Sequence, residues 1–361
     1  MIDHRSVMRR RSLATNIEQI RPETASRPPS GPLREAVKSV PVIDLSPFMS
    51  AGQATHKDAV AQDLRKACID VGFFYLTGHE LPAGELDEAV AVTLRFFQMP
   101  LDVKLKYRAT RAGGTGFVRV GGLNPDQTAE ESADIKERFI VVRGTSVRQD
   151  DAACWPDDET VPGFSSFMQR HIERRVRIAK ALARAFAMSL KLPEGYFDPY
   201  YEKMSHNMLL NYYPPLTEAA VKRSQWSFSP HTDYGGFTLL SQDSIGGLQV
   251  QNSAGEWIDV PPRDNHFVVN IGDLTAMWTN DLYKSTLHRA ANVSGNARVS
   301  IPLFASPNRA SVLETLPTCV SGDNPSRYAP VTAGDYLDKL IEKTDTTGKP
   351  GLSDSTTKRL S

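Results

Sequence analysis

Cysteine is scarce in this chain of 361 residues: Cys68, Cys154 and Cys319 are the only three, and none belongs to a CxxC pair. So sparse a set excludes a disulfide scaffold and a thiolate zinc site. It fits a reduced, cytoplasmic compartment in which each thiol is a small buried hydrophobe. Net charge is also missing, since 42 basic side chains balance 42 acidic ones. That disfavours a nucleic-acid binder that relies on bulk positive charge. No apolar run approaches the ~20 residues of a membrane helix, and the N-terminal stretch lacks the apolar core of a secretory signal. There is no internal repeat, no GxGxxG and no alternation of strand and helix patterns. A solenoid and a dinucleotide-binding sheet are therefore disfavoured.

What is present divides into four stretches. Residues 1–39 carry the Arg9–Arg11 run and the Pro- and Ser-rich segment Arg21–Pro32, the composition of a flexible arm. Residues 341–361 read as a polar tail. Residues 40–195 mix signals, with strand-like runs at Val40–Asp44 and Phe73–Leu76 and helical spacing over His56–Val71, Gly84–Phe97 and Phe164–Leu190. In the last helix Ile172, Val176, Ala179, Leu182 and Phe186 form an apolar stripe, which leaves the intervening arginines and His171 for the surface. Residues 196–340 hold short β-prone runs separated by Gly, Pro and Asn. These are Met208–Tyr213, Phe237–Leu240, Leu248–Gln251, Trp257–Val260, Phe267–Ile271, Ser285–His288 and Arg298–Phe304. The predicted fold class is mainly β with flanking helices. An antiparallel sandwich or barrel fills the C-terminal half, and N-terminal helices buttress it.

Three local patterns carry chemistry. In Pro230–Gly236, His231 and Asp233 stand two apart, so on a strand an imidazole and a carboxylate reach one point. His288, on a later strand, is the best third ligand. Two nitrogens and one oxygen on one side of a metal would suit non-haem Fe(II), with open positions opposite. The alternative for an isolated HxD is a structural role. Second, Arg298 and Ser300 share a strand face among apolar neighbours Ile301, Leu303 and Phe304. A buried arginine there needs an anionic partner, and a carboxylate matches its fork; the alternative is an exposed strand face. Third, in Asn211–Pro215 a strand ends in two prolines, where Tyr213 can reach the same carboxylate and Asn211 a metal-bound ligand. Aromatic packing is the alternative for the tyrosine.

Together these pieces resemble the isopenicillin N synthase-like branch of the Fe(II)/2-oxoglutarate-dependent dioxygenases. In the N-terminal half the resemblance rests on VPVIDLSPF (Val40–Phe48) and GFFYLTGHEL (Gly72–Leu81). In the C-terminal half it rests on NYYPP, HTDYGGFTLLSQD (His231–Asp243), GGLQV (Gly246–Val250), VVNIGD (Val268–Asp273), YKSTLHR (Tyr283–Arg289) and RVSIPLF (Arg298–Phe304). The resemblance implies a double-stranded β-helix, or jelly-roll, core. It implies Fe(II) on His231, Asp233 and His288. It assigns the distal carboxylate of 2-oxoglutarate to Arg298 and Ser300 with help from Tyr213, and puts Asn211 beside the chelating end. O2 is then the co-substrate, succinate and CO2 the products, and ascorbate a candidate reductant; hydroxylation is the expected outcome, with desaturation and ring closure by the same oxidant as alternatives.

The expected partner is a small organic metabolite, neither nucleic acid nor membrane, in a biosynthetic or secondary-metabolic role. Phe304 matches a position that often lines the family's substrate pocket. Phe117, Arg119, Arg138, Trp226 and Tyr234 are further candidates for that lining, a solvent-facing side chain being the alternative for Arg119. Two other readings stay open. One is an iron oxidase of the isopenicillin N synthase type that takes all its electrons from the substrate. The other is a non-catalytic jelly-roll binding protein, disfavoured because all three ligand residues are present.

Overall fold

The computed structural model describes residues 39–49, 54–109, 114–119, 134–144, 155–217, 219–220, 226–292 and 294–347. The predicted arm up to residue 38, Cys154 and the tail from residue 348 lie outside this range. Two sheets face each other. The larger contains β1 (Val42–Asp44), β2 (Phe73–Thr77), β3 (Gly116–Val118), β4 (Glu137–Gly144), β5 (Ser205–Tyr213), β7 (Phe237–Gln242), β10 (Phe267–Ile271) and β12 (Arg298–Ser306). Its order is β1-β2-β10-β7-β12-β5-β4-β3, antiparallel except for β1 beside β2. The smaller sheet runs β6-β11-β8-β9, from β6 (Phe228–His231), β11 (His288–Ala290), β8 (Leu248–Gln251) and β9 (Trp257–Asp259). The jelly-roll reading therefore holds. However, the N-terminal half supplies both edges of the large sheet as well as helices.

Helices cover the outer face of the large sheet. They are α1 (Ala54–Asp70), α2 (Glu85–Phe97) and α3 (Phe164–Ser189), with α4 (Ala333–Thr347) near the end of the described chain. Strand alternation sorts the residues. On β12, Val299, Ile301, Leu303 and Ala305 join the helices in the main apolar cluster, with Leu239 of β7, Leu210 of β5 and Phe186 of α3. Each such large side chain contributes roughly 1.5–3 kcal/mol by leaving water. On β2, Phe74 and Leu76 face the helices, while Phe73 and Tyr75 turn inward to Val250 and Leu248 of the small sheet. The sandwich interior is thus apolar at the β2–β10 end. At the β12–β5–β4 end it is polar, and the site lies there.

Several expectations change. Arg175 and His171 of α3 are fully buried, not at the surface, because the helix is enclosed by other elements around more than its apolar stripe. The helix Ala333–Thr347, whose Ala333, Tyr336, Leu337 and Leu340 pack into the main cluster, runs on into the expected tail at residues 341–347. The strand expected at Ser285–His288 starts only at His288. Cys68 and Cys319 are buried free thiols, and burial raises both pKa values.

Candidate functional site

The site lies where the end of β6 meets β11, facing the polar end of the large sheet. β6 and β11 pair with His231 opposite His288. His231 is the last residue of β6, so Asp233 is placed by the following loop and not by strand alternation. That loop is pinned from behind. The Asp273 amide donates to the Asp233 carbonyl at 2.7 Å, and the Gly272 amide to the Gly236 carbonyl at 2.9 Å. Gly272 has no room for a side chain: a Cβ there would lie 2.3 Å from the Gly235 oxygen and 2.9 Å from the Asp233 oxygen.

One ligand atom each from His231, Asp233 and His288 lies within 4.8 Å of the others. Both Nε2 atoms are 3.8 Å from Asp233 Oδ1. The remaining polar atoms are already engaged. His231 Nδ1 donates to the Ser229 carbonyl at 2.7 Å, and His288 Nδ1 to the Thr286 carbonyl at 3.0 Å. Asp233 Oδ2 accepts from Thr238 Oγ1 at 2.5 Å and from Asn270 Nδ2 at 2.7 Å. These bonds fix the tautomers and leave two Nε2 lone pairs and one carboxylate oxygen converging on one point. All three side chains are buried. Burial, with His288 nearby, pulls the His231 pKa down and keeps the ring neutral. Burial pushes Asp233 up, but His288 and the hydrogen bonds from Asn270 and Thr238 bring it net below the usual carboxylate range. Neutral imidazole and ionised carboxylate are the forms that bind a divalent metal. The donor set fits Fe(II).

Arg298 lies on the inner face of β12 and is 1% exposed. Its Nη2 donates to Gln242 Oε1 at 3.1 Å, and the guanidinium lies 5.0 Å from the Tyr213 ring centre. Among the described residues Nε and Nη1 have no hydrogen-bond partner, and neither has Asn211 Oδ1. Ser300 Oγ sits 3.3 Å from both Asn211 Nδ2 and the Tyr213 hydroxyl. The four side chains converge because Arg298 pairs with Tyr213 and Ser300 with Asn211 across the β12–β5 ladder. Burial raises the Tyr213 pKa, so the phenol stays a donor. A buried guanidinium with two idle donors, a hydroxyl and a phenol fit a carboxylate.

The expected lining residues fall into two groups. Phe304 is half-buried on the face of Arg298 and Ser300, opposite Thr238 in register. Arg138 pairs with Asn211 on the same inner face. The others are elsewhere. Phe117 is fully buried in the main cluster against Phe96 and Phe97, on the outer face of β3. Arg119, half-buried one residue past β3, shares that side by alternation. Trp226 packs with Leu216, Ala220 and Ala291 and against the Arg289 guanidinium. Arg289 follows His288 directly on β11, so this is the opposite face of the small sheet. Tyr234 leaves its loop toward the main cluster. Thr238, Asn270 and Gln242 escaped the sequence reading. Their signal was the alternation of β7 and β10, but only the register joins them to Asp233 and Arg298. Asp134 and Lys136 were also missed as site neighbours. Lys136 Nζ lies 2.9 Å from the centre of the Phe228 ring, which stacks on His231 at 3.8 Å.

Residues 204–307 match the 2OG-Fe(II) oxygenase superfamily, and residues 40–158 match the N-terminal family described as non-haem dioxygenase in morphine synthesis. Over 340 residues the chain is 35% identical to the 2-oxoglutarate-Fe(II) type oxidoreductase ppzC of Metarhizium majus, covering 86% of this chain and 89% of that protein. The chain belongs to the 2OG-Fe(II) oxygenase superfamily. Another superfamily member, homoarginine-6-hydroxylase 2-ODD-C23 of Glycine max, is 32% identical over 305 residues, covering 78% of this chain and 89% of that protein. Among solved 2OG-Fe(II) oxygenases, a full-length Neurospora crassa protein in complex with alpha-KG (2-oxoglutarate) superposes with a TM-score of 0.76 at 29% identity. That match covers 84% of this chain and 96% of the Neurospora crassa chain. The same fungal protein in complex with alpha-KG and thymine also gives a TM-score of 0.76, at 28% identity, over 84% of this chain and 97% of its own. The protein is thus a 2-oxoglutarate-dependent non-haem iron dioxygenase with a jelly-roll core.

Proposed function

We propose that this dioxygenase hydroxylates a small organic molecule, and that the residues brought together above divide the work as follows. His231 and His288 hold Fe(II) through Nε2, and Asp233 through Oδ1. Arg298, Ser300 and Tyr213 anchor the distal carboxylate of 2-oxoglutarate, with Asn211 beside its chelating end. Bound Fe(II) and 2-oxoglutarate supply, with O2, the oxidising chemistry, and succinate and CO2 leave. The chain's own residues position these groups and exclude water. Thr238 and Asn270 hold the Asp233 carboxylate in one orientation, and Gln242 does the same for Arg298. Phe304 borders the substrate space next to the ligand set. The observation that carries this reading is the Arg298 guanidinium, buried with two donors idle.

A small-molecule substrate is supported by the Neurospora crassa complex with thymine, and hydroxylation by the homoarginine-6-hydroxylase relative. The buried free thiols Cys68 and Cys319 suit a reducing cytoplasm. No helix among the described residues is long and apolar enough to cross a membrane.

The test is Fe(II)- and O2-dependent conversion of 2-oxoglutarate to succinate, measured with and without candidate metabolites. His231→Ala and Asp233→Ala are expected to bring it to background. Turnover that survives either substitution would contradict the ligand assignment.

A further inference from the structure

A second guanidinium shares the inner face with Arg298. Ser300, Asn211 and Arg138 occupy one row across β12, β5 and β4. Residues directly opposite in an antiparallel ladder project to the same side. Ser300 and Asn211 are bonded to each other on the inner face, so Arg138 projects there too. Two strand spacings put its Cα about 10 Å from that of Ser300, within reach of one arginine side chain and a small ligand.

Arg138 has no hydrogen bond or ion pair among the described residues. The titratable groups that act on it are Asp134 and Tyr213, and it acts in turn on Lys136. Asp134 is already engaged: Oδ2 accepts from Lys136 Nζ at 2.9 Å, and Oδ1 accepts from the Ser229 amide at 2.8 Å and its hydroxyl at 2.6 Å. Among the described residues this corner therefore holds two cations, Lys136 and Arg138, against one carboxylate. Burial pulls the Arg138 guanidinium below its ordinary range, against the opposing pull of Asp134 and Tyr213. Phe228 connects the corner to His231. The co-substrate's distal carboxylate has its own anchor in Arg298, so a second anion is called for. A single planar fork matches a carboxylate better than a phosphate, whose three oxygens ask for more donors.

We propose that Arg138 binds a carboxylate of the oxidised substrate, so that the enzyme acts on small carboxylic acids. This deepens the reading of the site given above and rests on it. The Lys136 ammonium adds positive charge beside the same carboxylate. The acid is held over β4 while its reacting carbon lies toward His231 and Phe304.

The test uses anaerobic protein loaded with Fe(II) and saturated with 2-oxoglutarate, whose chelate gives a visible charge-transfer band. Benzoate, phenylacetate and cyclohexanecarboxylate are each titrated beside the corresponding primary amide, and displacement of the band reports binding. The acids are expected to bind about tenfold or more tightly than their amides. Arg138→Gln should abolish that preference, and Arg138→Lys should keep part of it. The affinity for 2-oxoglutarate should change by less than about threefold in both variants. Equal binding of acids and amides, no binding of any acid at ~10 mM, or a preference that survives Arg138→Gln would each overturn the proposal. So would a large loss of 2-oxoglutarate affinity in Arg138→Gln, which would assign the residue to the co-substrate. A wild-type protein that forms no band before any acid is added refutes the metal and co-substrate assignment itself, and this proposal with it.

Discussion

Arg175 and Arg298 are buried alike, 0% and 1% exposed, on opposite faces of one sheet. Arg175 reaches the sheet from α3. Its Nη2 donates to the carbonyls of Leu239 and Ile301, and Nη1 faces Met208 Sδ at 3.7 Å. The pairing of β12 with β5 skips Ile301 and Pro302, and Pro302 has no N–H to give, so the guanidinium supplies donors where the ladder lacks them. Glu85, which also accepts from His171 Nδ1 at 2.8 Å and from Arg174, balances the charge. Burial lowers the Arg175 pKa to about 9, still charged at neutral pH. Among the described residues Arg298 has one hydrogen-bond partner, the neutral Gln242, and two idle donors, with the Asp243 carboxylate acting on it only through space. Residue type and burial are the same, and only the partners supplied by the fold differ. Arg175 leaves one donor idle, Nε, against two in Arg298, and a buried cation with more idle donors is the better candidate for a ligand site.

The comparison can be broken at several points. Arg175→Met should lower the unfolding free energy by about 3–5 kcal/mol, because two buried carbonyls lose their donor and the buried Glu85 loses a nearby positive charge. A urea titration that shows almost no loss would remove its structural role. Acid should weaken the same cluster. Burial lowers the His171 pKa to about 4, against about 6.5 in the unfolded chain. His171 therefore contributes its full stability above about pH 6.5 and loses it as pH falls toward about 4, on the order of 3 kcal/mol. Burial raises Glu85, but His171 and Arg174 lower it net, so its contribution is lost in the same direction, at more acid pH. Stability measured across this window should be flatter in His171→Gln; parallel curves would contradict the assignment. On the site face, Thr238→Val frees Asp233 Oδ2 from one donor and should weaken Fe(II) binding by about tenfold with little change in melting temperature. Unchanged Fe(II) affinity would mean that Asn270 alone orients the carboxylate.

The residues proposed as ligands were legible because their chemistry is local: HTD, YKSTLHR and RVS each put reactive side chains at fixed spacing within a short run. The jelly roll was legible from the succession of short apolar runs. What escaped depends on contacts distant in sequence. Arg175 lies between the apolar residues of a helix and reads as solvent-facing until other elements enclose it. Phe117 and Trp226 were expected in the pocket, but which face a strand residue takes depends on parity and register, and both point away. Asp233 shares a point with His231 although β6 ends between them, because Gly272 lets the adjoining backbone press on the loop. Thr238 and Gln242 lie within the HTDYGGFTLLSQD run and Asn270 within VVNIGD, but their positions beside Asp233 and Arg298 come only from the pairing of β7 with β10 and β12.

The most direct measurement is an anaerobic titration of Fe(II)-loaded protein with 2-oxoglutarate, read by the visible charge-transfer band, in wild type, Arg298→Ala and Arg175→Met. Wild type should saturate, and Arg298→Ala should bind about 100-fold more weakly with its unfolding free energy within about 1 kcal/mol of wild type. Arg175→Met should bind normally wherever it is folded. If Arg298→Ala binds like wild type, or if the two arginine variants lose binding and stability together, then the inner-face guanidinium is a structural group like its outer-face counterpart, and the assignment of the co-substrate site is wrong.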